Sequence, residues 1–360
     1  MAGLSDGLPQ LTAMLSGTTP EPKMLPPDDW KLIAERSGRY GVRGIAAFAA
    51  RPISSGETRR WCDQVLTRQW QRFSHALASL QDVLRILRDA KTDIIVLKGP
   101  LLALRHYQPP FLRKPSLDID LAIREKDIES ACAALKSMGY LPAKTLAEAK
   151  AFAYDLTLYH DSKPRIELHF RLSHGATGIS VEQFFGRSRI MALPDGTSAN
   201  VLSEADEILH LVLHYAHHRF PLLFNLYEIR LIWTRASTAV KHEAIQRAIE
   251  HGFFGAFLMT DIAFKVIWKE DFLPKDQSRP RTWLQWRLNE RLFWQCVAWS
   301  ASGANLTLAN RLRGRWLDFQ VTDGPWDALR FFSMFAKVAW FRLRRRGWRT
   351  LKYQHHTTGD

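Results

Sequence analysis

The stretch from Ile94 to Asp120 constrains this chain most, because it joins an apolar run, a Gly-Pro turn and a segment bearing two closely spaced carboxylates. Asp93 to Leu97 is short, apolar and β-branched, and is expected as a buried strand. Lys98-Gly99-Pro100 ends it: glycine permits a tight turn, and proline suits the first position of a helix. Leu101 to Tyr107 then reads as about two helical turns, stopped by Pro109-Pro110. A second strand, Leu117 to Ile123, carries Asp118 and Asp120. Side chains alternate along a strand, so the two aspartates are expected side by side, with Leu117, Ile119 and Leu121 turned to the core.

Two adjacent carboxylates repel, and a cation between them relieves the repulsion. Such oxygen ligands suit Mg²⁺, which also takes oxygens from a substrate phosphate. The strand-to-helix turn offers backbone N–H groups and the positive end of a helix dipole, which suit phosphate. Phosphate site and metal site on neighbouring elements point to phosphoryl or nucleotidyl transfer. A third carboxylate is available further on. Ala153 to Tyr159 and Arg165 to Leu172 read as strands joined by the hairpin-like turn His160 to Pro164. Glu167, His169 and Arg171 then share one face, and Ile166, Leu168 and Phe170 the other.

The remainder organises around this core. Residues 1–28 read as a loose arm rich in Pro, Gly, Ser and Thr, followed by short helices at Asp29–Arg36 and Gly44–Ala50. Thr58 to Ala90 reads as a long amphipathic helix or a pair of them, and Glu125 to Met138 as a helix stopped by Gly139. From Ser203 onward the pattern is nearly all helical. Ser203 with Asp206 resembles a capping box opening Ala205 to His218. Leu222–Thr234, Thr238–His251, Phe253–Trp268, Trp283–Ser300 and Trp326–Arg345 follow. The expectation is an α+β chain in three parts: an N-terminal arm and short helices over 1–57, a catalytic domain with a small mixed sheet and flanking helices over 58–200, and a mostly helical domain over 201–360.

Three cysteines, Cys62, Cys132 and Cys296, lie far apart and suggest neither disulfide framework nor zinc ribbon, which fits a reducing cytoplasm. No signal-peptide pattern and no run of about 18 apolar residues is present, so no membrane span is expected. The formal net charge of +14 favours an anionic partner. Between Ala336 and Lys352, Lys337, Arg342, Arg344, Arg345, Arg346 and Arg349 interleave with Trp340, Phe341 and Trp348. That segment reads as a solvated basic tail, a nucleic-acid contact or an anionic membrane contact.

Lys98-Gly99, Arg113, Asp118-x-Asp120 and Glu167-Leu168-His169 resemble the signature of the uncharacterised bacterial nucleotidyltransferases of the polymerase-β-like superfamily. The resemblance covers roughly residues 60–235, including the helical segment with His210 and His214. It implies that Asp118 and Asp120 hold two metal ions, Mg²⁺ or Mn²⁺, and that Glu167 completes the first metal site and helps to activate the attacking hydroxyl. It also implies that Gly99 and the helix after it contact the nucleotide phosphates, with Lys98 and Arg113 countering their charge. One departure is Pro100, where the superfamily places a small Gly or Ser, so one N–H donor is missing.

Several residues keep two readings. Lys98-Gly99 is either a phosphate turn or an ordinary strand-to-helix turn. Arg113 is a phosphate ligand or an exposed loop charge, Ser116 a nucleotide contact or a turn residue, and His169 flanks the site or packs beneath it. His210, His214 and His217 share a helix face; without an H-E-x-x-H pattern, polar groups offered toward the cleft are expected rather than zinc. The expected activity is metal-dependent transfer of a nucleoside monophosphate from an NTP to a hydroxyl of a protein, peptide, small molecule or nucleic acid, releasing pyrophosphate. The rivals are a non-catalytic nucleotide or nucleic-acid binding protein and a membrane-surface protein.

Overall fold

The computed structural model describes Leu15 and residues 27–172, 179–218, 223–275 and 288–301. Helices α1 (Pro27–Arg39) and α2 (Arg43–Ala50) lead into α3 (Gly56–Asp89), a single 34-residue helix rather than a pair. Its buried positions, among them Cys62, Val65, Ala76, Leu80, Val83, Leu84 and Leu87, recur at helical spacing. Lys91, at φ 52°, then turns the chain into the sheet.

Strand β1 (Ile94–Val96) is followed by α4 (Pro100–His106), β2 (Asp118–Ile123) and α5 (Ile128–Lys136). Next come β3 (Leu141–Pro142), α6 (Leu146–Phe152), β4 (Asp155–Tyr159), β5 (Arg165–His169), the short α7 (Glu182–Phe185), β6 (Arg189–Ala192) and β7 (Ser198–Val201). The seven strands form one mixed sheet in the order β3-β4-β5-β2-β1-β7-β6. Two pairings, β2 with β5 and β1 with β7, are parallel, and the other four are antiparallel. The fold is therefore α+β with a mixed sheet.

Alternation along each strand divides the interior in two. Ile94, Val96, Ile119, Leu121, Ile123, Ile166 and Leu168 pack against α5 and the last turns of α3. Ile95, Leu97 and Ala122 join the other core, which also holds residues of α1, α2 and the first turns of α3. The helices after the sheet, α8 (Glu204–His217), α9 (Leu223–Arg235), α10 (Thr238–Glu250) and α11 (Phe254–Trp268), add to that same core, and α12 (Glu290–Ala301) adds Phe293. Ser203 caps α8 by accepting from the Asp206 backbone N–H, as expected. Asp206 is itself fully buried between Arg187 and Arg247.

Two expectations change. Leu117 is 83% exposed rather than in the core, because β2 begins one residue later, at Asp118. The hairpin of β6 and β7 was not anticipated, and neither was edge strand β3. The expected helix Trp283–Ser300 is described only from Glu290, and Trp326–Arg345, the basic segment 336–352 and nearly all of the arm over 1–28 lie outside the described residues. No helix of the described residues is long and apolar enough to cross a membrane.

Candidate active site

The parallel register of β2 and β5 sets the site. Asp118 stands opposite Arg165, Asp120 opposite Glu167, and Ala122 opposite His169. Facing residues in a parallel pair share a side of the sheet, so the carboxylates and His169 are brought to one face. That face belongs to the core containing Ala122 and helix α8. Beside it, Lys98-Gly99 follows the end of β1. Gly99 has φ 79° and ψ −139°, with Pro100 at the first helical position, as the turn requires. A Cβ placed on Gly99 would meet nothing within 4 Å, so the backbone there is open to an incoming group.

Each carboxylate has its own partners. Asp118 accepts from Ser116 Oγ at 2.5 Å and from Arg165 Nη2 at 2.9 Å. Arg165 Nε lies 3.2 Å from Glu167 Oε1, so this one guanidinium spans two carboxylates. Asp120 is buried; its Oδ1 lies 3.2 Å from both Lys98 Nζ and His169 Nε2. His169 Nε2 is also 3.6 Å from Glu167 Oε2. Lys98 Nζ reaches across to α8, where it lies 2.7 Å from His214 Nε2. An ammonium only donates, so the His214 ring accepts there.

These contacts explain the proton affinities. Burial, followed by the charges of Asp120 and Asp118, pushes the Glu167 carboxyl up to about 7. Burial acts in the same sense on Asp120, but Lys98 and His169 outweigh it and hold that carboxyl well below the usual range. For His169 burial lowers the imidazole, yet the hydrogen bond to Asp120 and the nearby carboxylates raise it overall. On α8 the sense reverses: burial and then Lys98 bring His210 down to about 3 and His218 to about 4, and hold His214 well below the imidazole range. The α8 face therefore presents neutral rings to Lys98.

A divalent cation fits this donor set. Asp120 Oδ2 is buried and, among the described residues, has no hydrogen-bond partner. Asp120, Glu167 and His169 each offer one ligand atom, all within 4.8 Å of one another. The crowding that raises Glu167 is what a cation would relieve. In this arrangement Asp118 is engaged by Ser116 and Arg165 rather than grouped with those three.

Sequence reasoning brought the carboxylates, Lys98, Ser116 and His169 to one place, and the histidines of α8 do offer polar groups to that face. Arg113 is the correction. It is neither an exposed loop charge nor open to a phosphate: its side chain is 6% exposed and its guanidinium bonds Glu228 of α9 at 2.6 and 3.2 Å. Bidentate geometry of this kind satisfies the guanidinium fork. Arg165 was overlooked. The alternation that puts Glu167 and His169 on one face also includes Arg165, which is where a signal lay.

No curated protein matches the chain. A solved structure with local likeness is the antibiotic-resistance factor ANT(2'')-Ia, determined in solution. It is 14% identical, the match covers 48% of this chain and 94% of that one, and the TM-score is 0.36. Residues 26–261, well over half of the chain and including every carboxylate and basic group of the site, match the family described as uncharacterised nucleotidyltransferase. The chain belongs to that nucleotidyltransferase family and is a transferase.

Proposed function

We propose that this enzyme transfers a nucleoside monophosphate from an NTP to a hydroxyl acceptor and releases pyrophosphate. The observation that carries the reading is the in-register pairing of Asp120 with Glu167 beside the open Gly99 turn. In the transfer, the acceptor oxygen bonds to the α-phosphorus, the bond to the β-phosphate oxygen breaks, and the pair of electrons leaves with pyrophosphate. Glu167 helps activate the attacking hydroxyl by accepting its proton. Ser116 orients Asp118 through their hydrogen bond. Lys98 and the Gly99 backbone face the phosphates, with Lys98 countering their charge.

Asp118, Asp120 and Glu167, with His169 adjoining, are the residues proposed to hold Mg²⁺ or Mn²⁺. When bound, the ion supplies Lewis-acid stabilisation of the charge on the phosphate oxygens. Arg113 is left out of this set because Glu228 occupies its guanidinium. A reducing, NTP-rich cytoplasm suits the reaction, and the charge of +14 suits a polyanionic donor. Contact with an anionic surface through residues 336–352 is proposed on charge alone.

The test is incubation with each α-labelled NTP and Mg²⁺ or Mn²⁺, with a cell lysate as the acceptor pool. Label should move to one acceptor class with wild type and not with Asp118→Asn or Asp120→Asn. Undiminished transfer by both variants would overturn the assignment of the site.

A further inference from the structure

Three carboxylates crowd one face of the sheet, yet the protein already supplies each with a cation. Lys98 reaches Asp120 at 3.2 Å, and Arg165 reaches Asp118 at 2.9 Å and Glu167 at 3.2 Å. The two cations come from different elements. Lys98 follows β1 and is tethered on its far side by His214 of α8; Arg165 opens β5 and is 42% exposed. Neither is locked by a full set of bonds. Lys98 holds one carboxylate oxygen and one neutral imidazole, and the Nε of Arg165 makes no hydrogen bond of good geometry. By contrast, Arg113 is held by a bidentate pair of bonds to one buried carboxylate, which is what a purely structural cation looks like in this protein.

A divalent ion at Asp120 and Glu167 would share their oxygens with Lys98 and Arg165 and repel both. A polyphosphate arriving with the ion would attract both. The two cations therefore oppose the metal alone and favour the metal with its polyphosphate.

We propose that Lys98 and Arg165 are exchangeable counter-cations: they neutralise the carboxylates before a metal binds, are displaced by the divalent ion, and then bind the phosphates of the donor nucleotide. This rests on the reading of the carboxylates as a metal site, and it adds Arg165 as a nucleotide-binding residue. It makes metal and nucleotide binding mutually dependent, since a group that opposes one ligand and favours the other couples their free energies.

Calorimetric titration with Mn²⁺ alone, and with Mn²⁺ plus inorganic tripolyphosphate, separates the effects without needing the acceptor or the base. For Lys98→Met and Arg165→Met, affinity for Mn²⁺ alone should rise by about tenfold and affinity for the tripolyphosphate complex should fall by about tenfold, in the range usual for coupled sites. A merely structural role would move both in the same direction. Because Lys98 is mostly enclosed, its variant is paired with the more exposed Arg165→Met, which tests the idea even if the first does not fold. Asp120→Asn should abolish Mn²⁺ binding. Mn²⁺ binding that needs Asp120 but is unchanged or weakened in both variants would overturn the exchange and leave the metal site standing; so would tightened Mn²⁺ binding with undiminished tripolyphosphate binding. Absence of Mn²⁺ binding in wild type and variants, with or without tripolyphosphate, would overturn the metal site and the exchange together.

Discussion

Replacing Glu228 by alanine would leave the Arg113 guanidinium enclosed without its carboxylate. The two side chains are 6% and 4% exposed, with bonds of 2.6 and 3.2 Å between them. What remains for Arg113 is a 3.3 Å bond to the Lys114 carbonyl and the face of Phe224 at 5.3 Å. Removing one partner of a buried pair costs about 3–5 kcal/mol, because the surviving charge keeps its desolvation penalty. A domain's entire stability is only about 5–15 kcal/mol, so the variant should be folded but marginal. With a urea m-value of about 3 kcal/mol/M, the midpoint should fall by roughly 1–1.7 M with the slope unchanged. Arg113→Met/Glu228→Leu should recover most of the loss, since an apolar pair removes both penalties. The resemblance to the wider superfamily predicts something else: Arg113→Met would weaken NTP binding and leave stability intact. A Glu228→Ala midpoint at the wild-type value, with a raised KM for NTP in Arg113→Met, would refute the structural role.

Glu167 gives a pH test on the metal-free protein. Its folded value near 7 lies above the ordinary 4.5, so its favourable contribution is full below about 4.5 and is lost as pH rises through 7. The loss is at most about 3 kcal/mol. Glu167→Gln should therefore gain Tm on wild type between pH 5 and pH 8, and a constant Tm difference across that range would sink the argument. Asp120→Asn should lower the His169 imidazole, because the hydrogen-bonded charge that most opposes burial is gone and only Asp155 and Glu167 still raise it; an NMR titration showing His169 unmoved would contradict this. Gly99→Ala should cost about 1–3 kcal/mol through backbone strain alone, since φ is 79° and the added methyl meets nothing within 4 Å. Urea unfolding reads it, and a variant as stable as wild type would show that the turn tolerates a side chain.

The heart of the site was legible because strand periodicity is strict. Asp118 and Asp120 had to share a face, and so did Glu167 and His169; the parallel register then brought the two pairs together. The same rule misplaced Leu117, because it was counted from one residue too early and no local signal marks where pairing starts. Arg113 was misread for a different reason. Its partner lies on α9, far along the chain, and sequence spacing carries no information about which distant carboxylate closes over a given arginine. The hairpin of β6 and β7 escaped because Arg189 and Ile190 are both exposed, so the strand lacks the inside-outside alternation that marks a core strand. The turn residues Pro194-Asp195-Gly196 were the available cue.

The parallel pairing of β2 with β5 also sets a schedule for the newborn chain. Asp118 and Asp120 leave the ribosome well before Glu167, and Lys98 precedes its tether His214 by more than a hundred residues. Parallel neighbours need a long crossover, so these meetings come late in folding, after the local helices and hairpins. A chain interrupted before β5 holds two aspartates with neither Arg165 nor Glu167 beside them, and one interrupted before α8 holds a lysine without its anchor. Under the proposed function a truncated chain therefore lacks part of the site, and the full set of side chains is assembled only once α8 packs onto the sheet.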